Sequence, residues 1–101
     1  MPNYKVIILE QAISEIADSC SYYNEKVSGL GYEFEEEIFQ LIEIIKENPF
    51  LFPIKFVNIH EAVLLSFPFV VNYEVWGKQI IVSAVFHTKR HPDKKIKRRR
   101  K

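Results

Sequence analysis

Two runs rich in β-branched and aromatic residues, Phe69 to Trp76 and Ile80 to Phe86, stand on either side of Gly77-Lys78. A glycine at the first central position of a two-residue connection marks a type II′ hairpin, whose twist suits antiparallel strands. No other stretch constrains the fold as tightly, because the turn sets the register and the register decides which side chains share a face. Counting back from the turn opposes Val75 with Ile80, Tyr73 with Val82, Val71 with Ala84 and Phe69 with Phe86. These eight side chains are assigned to the core face. Val70, Asn72, Glu74, Ile81, Ser83, Val85 and His87 fall on the other, and His87 lies opposite Pro68.

A third strand is expected from Ile59 to Leu65, before the turn residues Phe67-Pro68. On that pairing His60 and Glu61 lie near Val75 and Glu74, roughly 23 Å down the sheet from His87 at ~3.3 Å per residue. His60 is read as a solvated strand residue. Tyr4 to Leu9 reads as a short opening strand.

Between them the period is helical. Ile13, Ile16, Ala17, Cys20, Tyr23 and Val27 make one apolar stripe, which predicts a helix from Gln11 to Lys26. Ser28-Gly29-Leu30-Gly31 breaks it. A second helix is predicted from Tyr32 to Lys46, with Leu30, Phe34, Ile38, Leu41, Ile42 and Ile45 as its stripe. Glu33, Glu35, Glu36 and Glu37 crowd its start, where the helix dipole favours anions. Phe39 and Ile44 lie off the stripe. Asn48-Pro49 stops the helix, and Phe50-Leu51-Phe52-Pro53 is an apolar connector. The expected architecture is α+β: an N-terminal strand, a two-helix hairpin, then a three-strand antiparallel meander forming one sheet packed on the helices.

With 101 residues, 48% of them apolar, the chain makes one domain with a real core. Its formal net charge of +1 hides a split. Residues 1–88 hold five Lys and Arg against twelve Asp and Glu, while residues 89–101 hold nine against one. The expected division is a single domain over residues 1–92 and a basic, disordered tail over 93–101. The one cysteine, Cys20, excludes an internal disulfide and a cysteine-based zinc site. It falls on the apolar stripe and reads as a small buried hydrophobe. No apolar run nears the ~20 residues that span a bilayer. Val6-Ile7-Ile8-Leu9 is too short for a signal-peptide core. A cytoplasmic protein that uses no membrane, metal or cofactor is expected.

Phe67-Pro68-Phe69-Val70-Val71-Asn72-Tyr73-Glu74-Val75 resembles the FPY-x-(I/V)-x-Y-x-V strand of the RelE/ParE superfamily of bacterial toxin–antitoxin toxins. Ala84-Val85-Phe86-His87-Thr88-Lys89-Arg90-His91-Pro92 resembles that superfamily's final-strand signature, AV-x-H-x-x-R-x-P. Ala12, Ile16, Tyr22-Tyr23, Gly29-Leu30-Gly31, Phe34 and Asn48-Pro49 fall in the order of its ParE-like members. The resemblance implies a growth-inhibiting toxin that forms a hetero-oligomer with a cognate antitoxin. ParE-type members act by binding, and DNA gyrase is the target of studied ones. RelE-type members are ribosome-dependent mRNA endonucleases.

Metal-free RNA cleavage needs a base, a cation and an acid around one phosphate. Nuclease-type relatives carry an Arg near the start of the central strand, where Phe69-Val70-Val71-Asn72 is uncharged here. A nuclease would have to use His87 and Arg90 with help from Lys89. The ParE-like reading is preferred; a non-toxic member of the superfamily is the remaining alternative. Lys89, Arg90, Arg98, Arg99 and Arg100 are candidates for target or nucleic-acid contact, through salt-sensitive phosphate pairing. Tyr22, Phe39, Ile44 and Trp76 are candidates for antitoxin contact, being the apolar groups least needed by the core. Tyr23 continues the stripe and is assigned to the core.

Overall fold

The computed structural model describes residues 4–89. The expected domain end at residue 92 and the basic tail at 93–101 lie outside the described residues. The chain runs β1 (Lys5–Ile8), α1 (Glu10–Lys26), α2 (Leu30–Glu47), β2 (Ile54–Phe56), β3 (Ile59–Val63), β4 (Phe69–Trp76) and β5 (Gln79–His87). The strands form one five-stranded sheet in the order β1-β5-β4-β3-β2. β1 runs parallel to β5 and the other pairs are antiparallel. The helical hairpin covers one face. The expected α+β architecture is present with one more strand than expected: β2 follows directly on the apolar connector and pairs with β3 as an edge.

The core forms where the α2 stripe meets the sheet. Phe34, Ile38 and Ile45 on α2 are fully buried, as are Val71, Tyr73, Ile80 and Val82 on β4 and β5. Burying each such side chain contributes about 1.5–3 kcal/mol. The helices are joined by a left-handed turn at Gly29, φ 85°. Next to it, Gly31 sits where an added Cβ would lie 2.0 Å from the Cys20 carbonyl oxygen. The α1–α2 approach is therefore set by the lack of a side chain at residue 31.

α1 buries a face displaced by one residue from the expected stripe. Ala12 and Ile16 are buried, Glu15 and Ser19 face partly inward, and Ile13 is 53% exposed. The reason lies in β5. Gly77 takes φ 61°, as a type II′ turn requires, and Val75 opposes Ile80 and Tyr73 opposes Val82 as expected. Between Asn72 and Tyr73 the register then shifts. From there Asn72 opposes Ala84, Val71 opposes Val85 and Phe69 opposes His87. Such a bulge reverses the face of every residue beyond it. Val85 and His87 thus join the core face, while Ala84 and Phe86 leave it. The Val85 N–H donates to Glu15 Oε1 at 2.7 Å, which explains a carboxylate on the inner side of α1.

β3 is also displaced from expectation, pairing His60 with Tyr73 and Glu61 with Asn72. His60 therefore points inward and is 5% exposed, which overturns its reading as a solvated residue. Its ring stacks on Tyr73 at 4.9 Å and 11°. Its Nδ1 lies 2.7 Å from the Phe52 carbonyl. A carbonyl only accepts, so Nδ1 carries the proton. The Tyr73 hydroxyl donates to the Pro49 carbonyl at 2.7 Å. Together these bonds fasten the apolar connector to the end of the core.

Candidate functional site

Three surfaces carry the chemistry. The first is the exit of β5. His87 faces the Phe69 ring edge-on, at 5.2 Å and 76°. It belongs to an aromatic cluster at this end of the sheet, where Tyr23 lies 5.1 Å from Phe67 and Phe34 lies 4.8 Å from Phe69. The Lys89 backbone N–H donates to His87 Nδ1 at 3.0 Å. That nitrogen is therefore an acceptor, and the neutral ring carries its proton on Nε2. Thr88 N–H donates to the Pro68 carbonyl at 2.8 Å. Lys89 is exposed beside this turn. Arg90, Arg98, Arg99 and Arg100 lie outside the described residues.

The new register brings His60 and His87 to four pairing positions apart along β4, about 13 Å at ~3.3 Å per residue. Both point to the helix side, with the buried Val71 between Tyr73 and Phe69. The core therefore separates the two imidazoles, so they do not meet at one phosphate.

The second surface is a groove of about 470 Å³ between α2 and the β3–β4 connection. Glu33, Glu36, Glu37, Gln40 and Ile44 form one wall, and Val63, Leu65 and Phe67 lie on the other. Glu37 builds it: Oε2 accepts the backbone N–H groups of Leu65 at 2.8 Å and Ser66 at 3.0 Å. Leu65 is consequently presented outward, 97% exposed. Among the described residues no Lys or Arg lines the groove. The sequence pattern does not single out this site, because the glutamates read as a helix-dipole feature. Only Glu33 lies in the first turn of α2, whereas Glu36 and Glu37 continue along the groove.

The third surface is dispersed. Phe39 and Tyr32 line a shallow depression on the outer face of α2, among Glu35, Glu36 and Glu43. Tyr22 is exposed on α1, with the Lys26 ammonium 5.2 Å from its ring centroid. Trp76 stands at the β4–β5 turn, its Nε1–H donating to Glu74 Oε1 at 2.9 Å. Tyr22 and Trp76 thus sit toward opposite ends of the sheet, and Ile44 lies in the groove. The four candidates for antitoxin contact are exposed but do not form one patch. Cys20 is half-buried, and burial chiefly, with Glu35 adding to it, pushes its thiol pKa up, away from the thiolate a nucleophile needs.

Among the described residues no group of three His, Cys, Asp or Glu side chains is placed to hold a metal. No helix among them is long and apolar enough to cross a membrane.

A helical hairpin lies over a five-stranded sheet, with β1 returning parallel beside β5. A solved chain of the chromosomal ParDE toxin–antitoxin system from P. aeruginosa has the same fold, with a TM-score of 0.78 at 12% identity. The match covers 88% of this chain and 100% of that one. No protein-family model matches the chain. No curated protein matches it.

Proposed function

We propose that the chain is the toxin of a type II toxin–antitoxin module, ParE-like in action. It inhibits growth by binding a cytoplasmic target and is neutralised by a cognate antitoxin. The observation that carries this reading is the shared fold together with the uncharged start of the central strand. Phe69, Val70 and Val71 are buried there, and none of the three carries a charge. A cleaving site needs a cation where transition-state charge develops. Among the described residues His87 is the imidazole nearest the basic chain end, and its Nδ1 is engaged by the Lys89 backbone.

The target of this reading is a DNA gyrase–DNA complex. Lys89, with Arg90 and the arginines at 98–100, supplies phosphate contacts whose strength falls with salt. The antitoxin crosses the exposed apolar groups of the helical hairpin and the sheet edge, in the manner of a segment laid in a groove.

Induction of the gene, with and without the adjacent short reading frame, tests the module. Growth arrest relieved by that frame is expected. Purified protein is expected to inhibit gyrase supercoiling at micromolar concentration, and an unaffected reaction overturns the gyrase target. Codon-phased mRNA cuts that vanish in His87→Ala would instead identify a ribosome-dependent endonuclease. Normal growth with folded protein would identify a non-toxic member.

A further inference from the structure

We propose that the groove between α2 and the β3–β4 connection is a docking site for this chain's own basic C-terminal segment, residues 90–101. Three observations support the assignment, and none needs the chain to be a toxin.

The first is charge. The groove presents Glu33, Glu36 and Glu37 with no Lys or Arg in its lining among the described residues, so an occupant that brings positive charge suits it. Residues 90–101 carry eight Lys and Arg against one Asp, the densest positive charge in the sequence. Glu33 and Glu36 are exposed, whereas Glu37 is committed to the loop it caps.

The second is position. Thr88 is hydrogen-bonded to Pro68, next to Phe67 of the groove wall. The Phe67 ring lies 5.3 Å from that of Phe34, the neighbour of Glu33. The chain therefore leaves β5 at the mouth of the groove. The third is reach. From Glu33 to Ile44 the α2 wall runs about 17 Å at ~1.5 Å per residue. Twelve residues span up to about 40 Å when extended, enough to cover that wall after turning past Pro68. The apolar part of the lining, Ile44 and Leu65, suits Ile96, the one aliphatic side chain in the segment.

Exposed ion pairs are individually weak, and this contact depends on several acting together. It is therefore salt-sensitive, since screening shortens from ~8 Å at physiological ionic strength to ~3 Å at 1 M. While the segment is seated its cations are withheld from other partners, so the acidic wall acts as an internal competitor for whatever the basic segment contacts.

The test is zero-length carbodiimide coupling of the full chain at high dilution, with peptide mapping. Amide bonds within one molecule, joining Lys94, Lys95, Lys97 or Lys101 to Glu33, Glu36 or Glu37, are expected at low salt. They are expected to be lost at 1 M salt and in the Glu33→Gln/Glu36→Gln double variant, whose substituted side chains lie on the surface. Amide resonances of residues 33–40 and 65–67 are expected to shift with salt in the unsubstituted chain and not in the variant. Coupling spread equally over Glu25, Glu43 and Glu47, coupling only between two molecules, or no coupling would each overturn the proposal. Growth inhibition measured on the same chain is independent of these outcomes, so failure here is distinguishable from failure of the toxin reading.

Discussion

Glu15 Oε1 accepts the Val85 backbone N–H at 2.7 Å across seventy residues of sequence. This one bond joins the first helix to the bulge that re-aims the end of β5. The Val85 N–H lies just past the bulge, and the carboxylate accepts it in a charge-assisted bond. Removing the acceptor leaves a partly buried donor unpaired. Glu15→Ala is expected to lower stability by about 1.5–3 kcal/mol in urea denaturation, and Glu15→Gln by less. A loss below ~0.5 kcal/mol for Glu15→Ala would show that the bulge does not depend on it.

The two glycines of the interhelical turn predict losses of different origin. At Gly31 an added methyl meets the Cys20 carbonyl oxygen at 2.0 Å and the Asn24 amide at 2.7 Å. The helices have to part, and Gly31→Ala is expected to cost more than ~2 kcal/mol. At Gly29 there is open space but φ is +85°, so Gly29→Ala is expected to cost about 1 kcal/mol through backbone strain alone. Equal losses at the two positions in thermal melts would contradict this division.

Val57 holds φ 54° in the two-residue connection between β2 and β3. A β-branched side chain is poorly suited to that conformation, whereas Gly and Asn adopt it readily. Its side chain is 73% exposed, so little packing is lost on replacement. Val57→Gly and Val57→Asn are expected to raise stability by an amount on the order of 1 kcal/mol, seen as a higher denaturation midpoint. A lowered midpoint for both would contradict strain at this turn.

Much of this fold was legible because its signals are local. Gly77 announces the hairpin, Asn48-Pro49 ends α2, and the α2 stripe selects its buried residues. The misread parts depend on distant partners. The pleat alone carries Val71 to Ala84, and only Glu15, far upstream, accounts for the shift to Val85. The stripe of α1 was displaced for the same reason: Glu15 is drawn inward and Ile13 is turned out. His60 lies in the run Ile59-His60-Glu61-Ala62-Val63, which fits either face until pairing with Tyr73 decides. β2 was hidden by its length of three residues, although Asn58 is a turn residue. The acidic groove was not legible, because it needs Glu37 to meet the Leu65 and Ser66 backbone across the fold.

Tyr73 predicts an alkaline limit to stability. Its ring is fully buried, and that burial pushes the phenol from its ordinary 10.0 up to about 12, partly countered by the Phe52 backbone. The folded state thus holds the proton more tightly than the unfolded state. Below pH 10 the phenol is neutral in both states and its contribution is fully present. As pH rises from 10 toward 12 the unfolded chain ionises first, and stability falls by up to about 1.4 kcal/mol per pH unit. Urea midpoints measured between pH 8 and 12 are expected to fall over that window, and the fall from this group to be absent in Tyr73→Phe. A Tyr73→Phe profile identical to that of the unsubstituted chain would assign the alkaline limb to other groups.

Phe39 separates antitoxin contact from the fold and from target contact. It is 44% exposed on the outer face of α2, away from the core stripe and from the chain exit at Lys89. A substitution at such a position changes stability by about 0.5 kcal/mol or less. Tyr32, beside it, is 66% exposed, so the two rings offer a partner an apolar foothold within a ring of glutamates. Phe39→Asp adds a like charge to that ring and removes the foothold. If the antitoxin crosses this helix, the variant arrests growth as the unsubstituted toxin does but is no longer rescued by the co-expressed antitoxin. The check is a growth assay paired with co-purification of the two proteins and a far-ultraviolet circular dichroism spectrum of the variant. Full rescue and undiminished co-purification of a folded Phe39→Asp would remove the outer face of α2 from the antitoxin interface. The binding surface would then have to lie at the sheet edge or near Trp76.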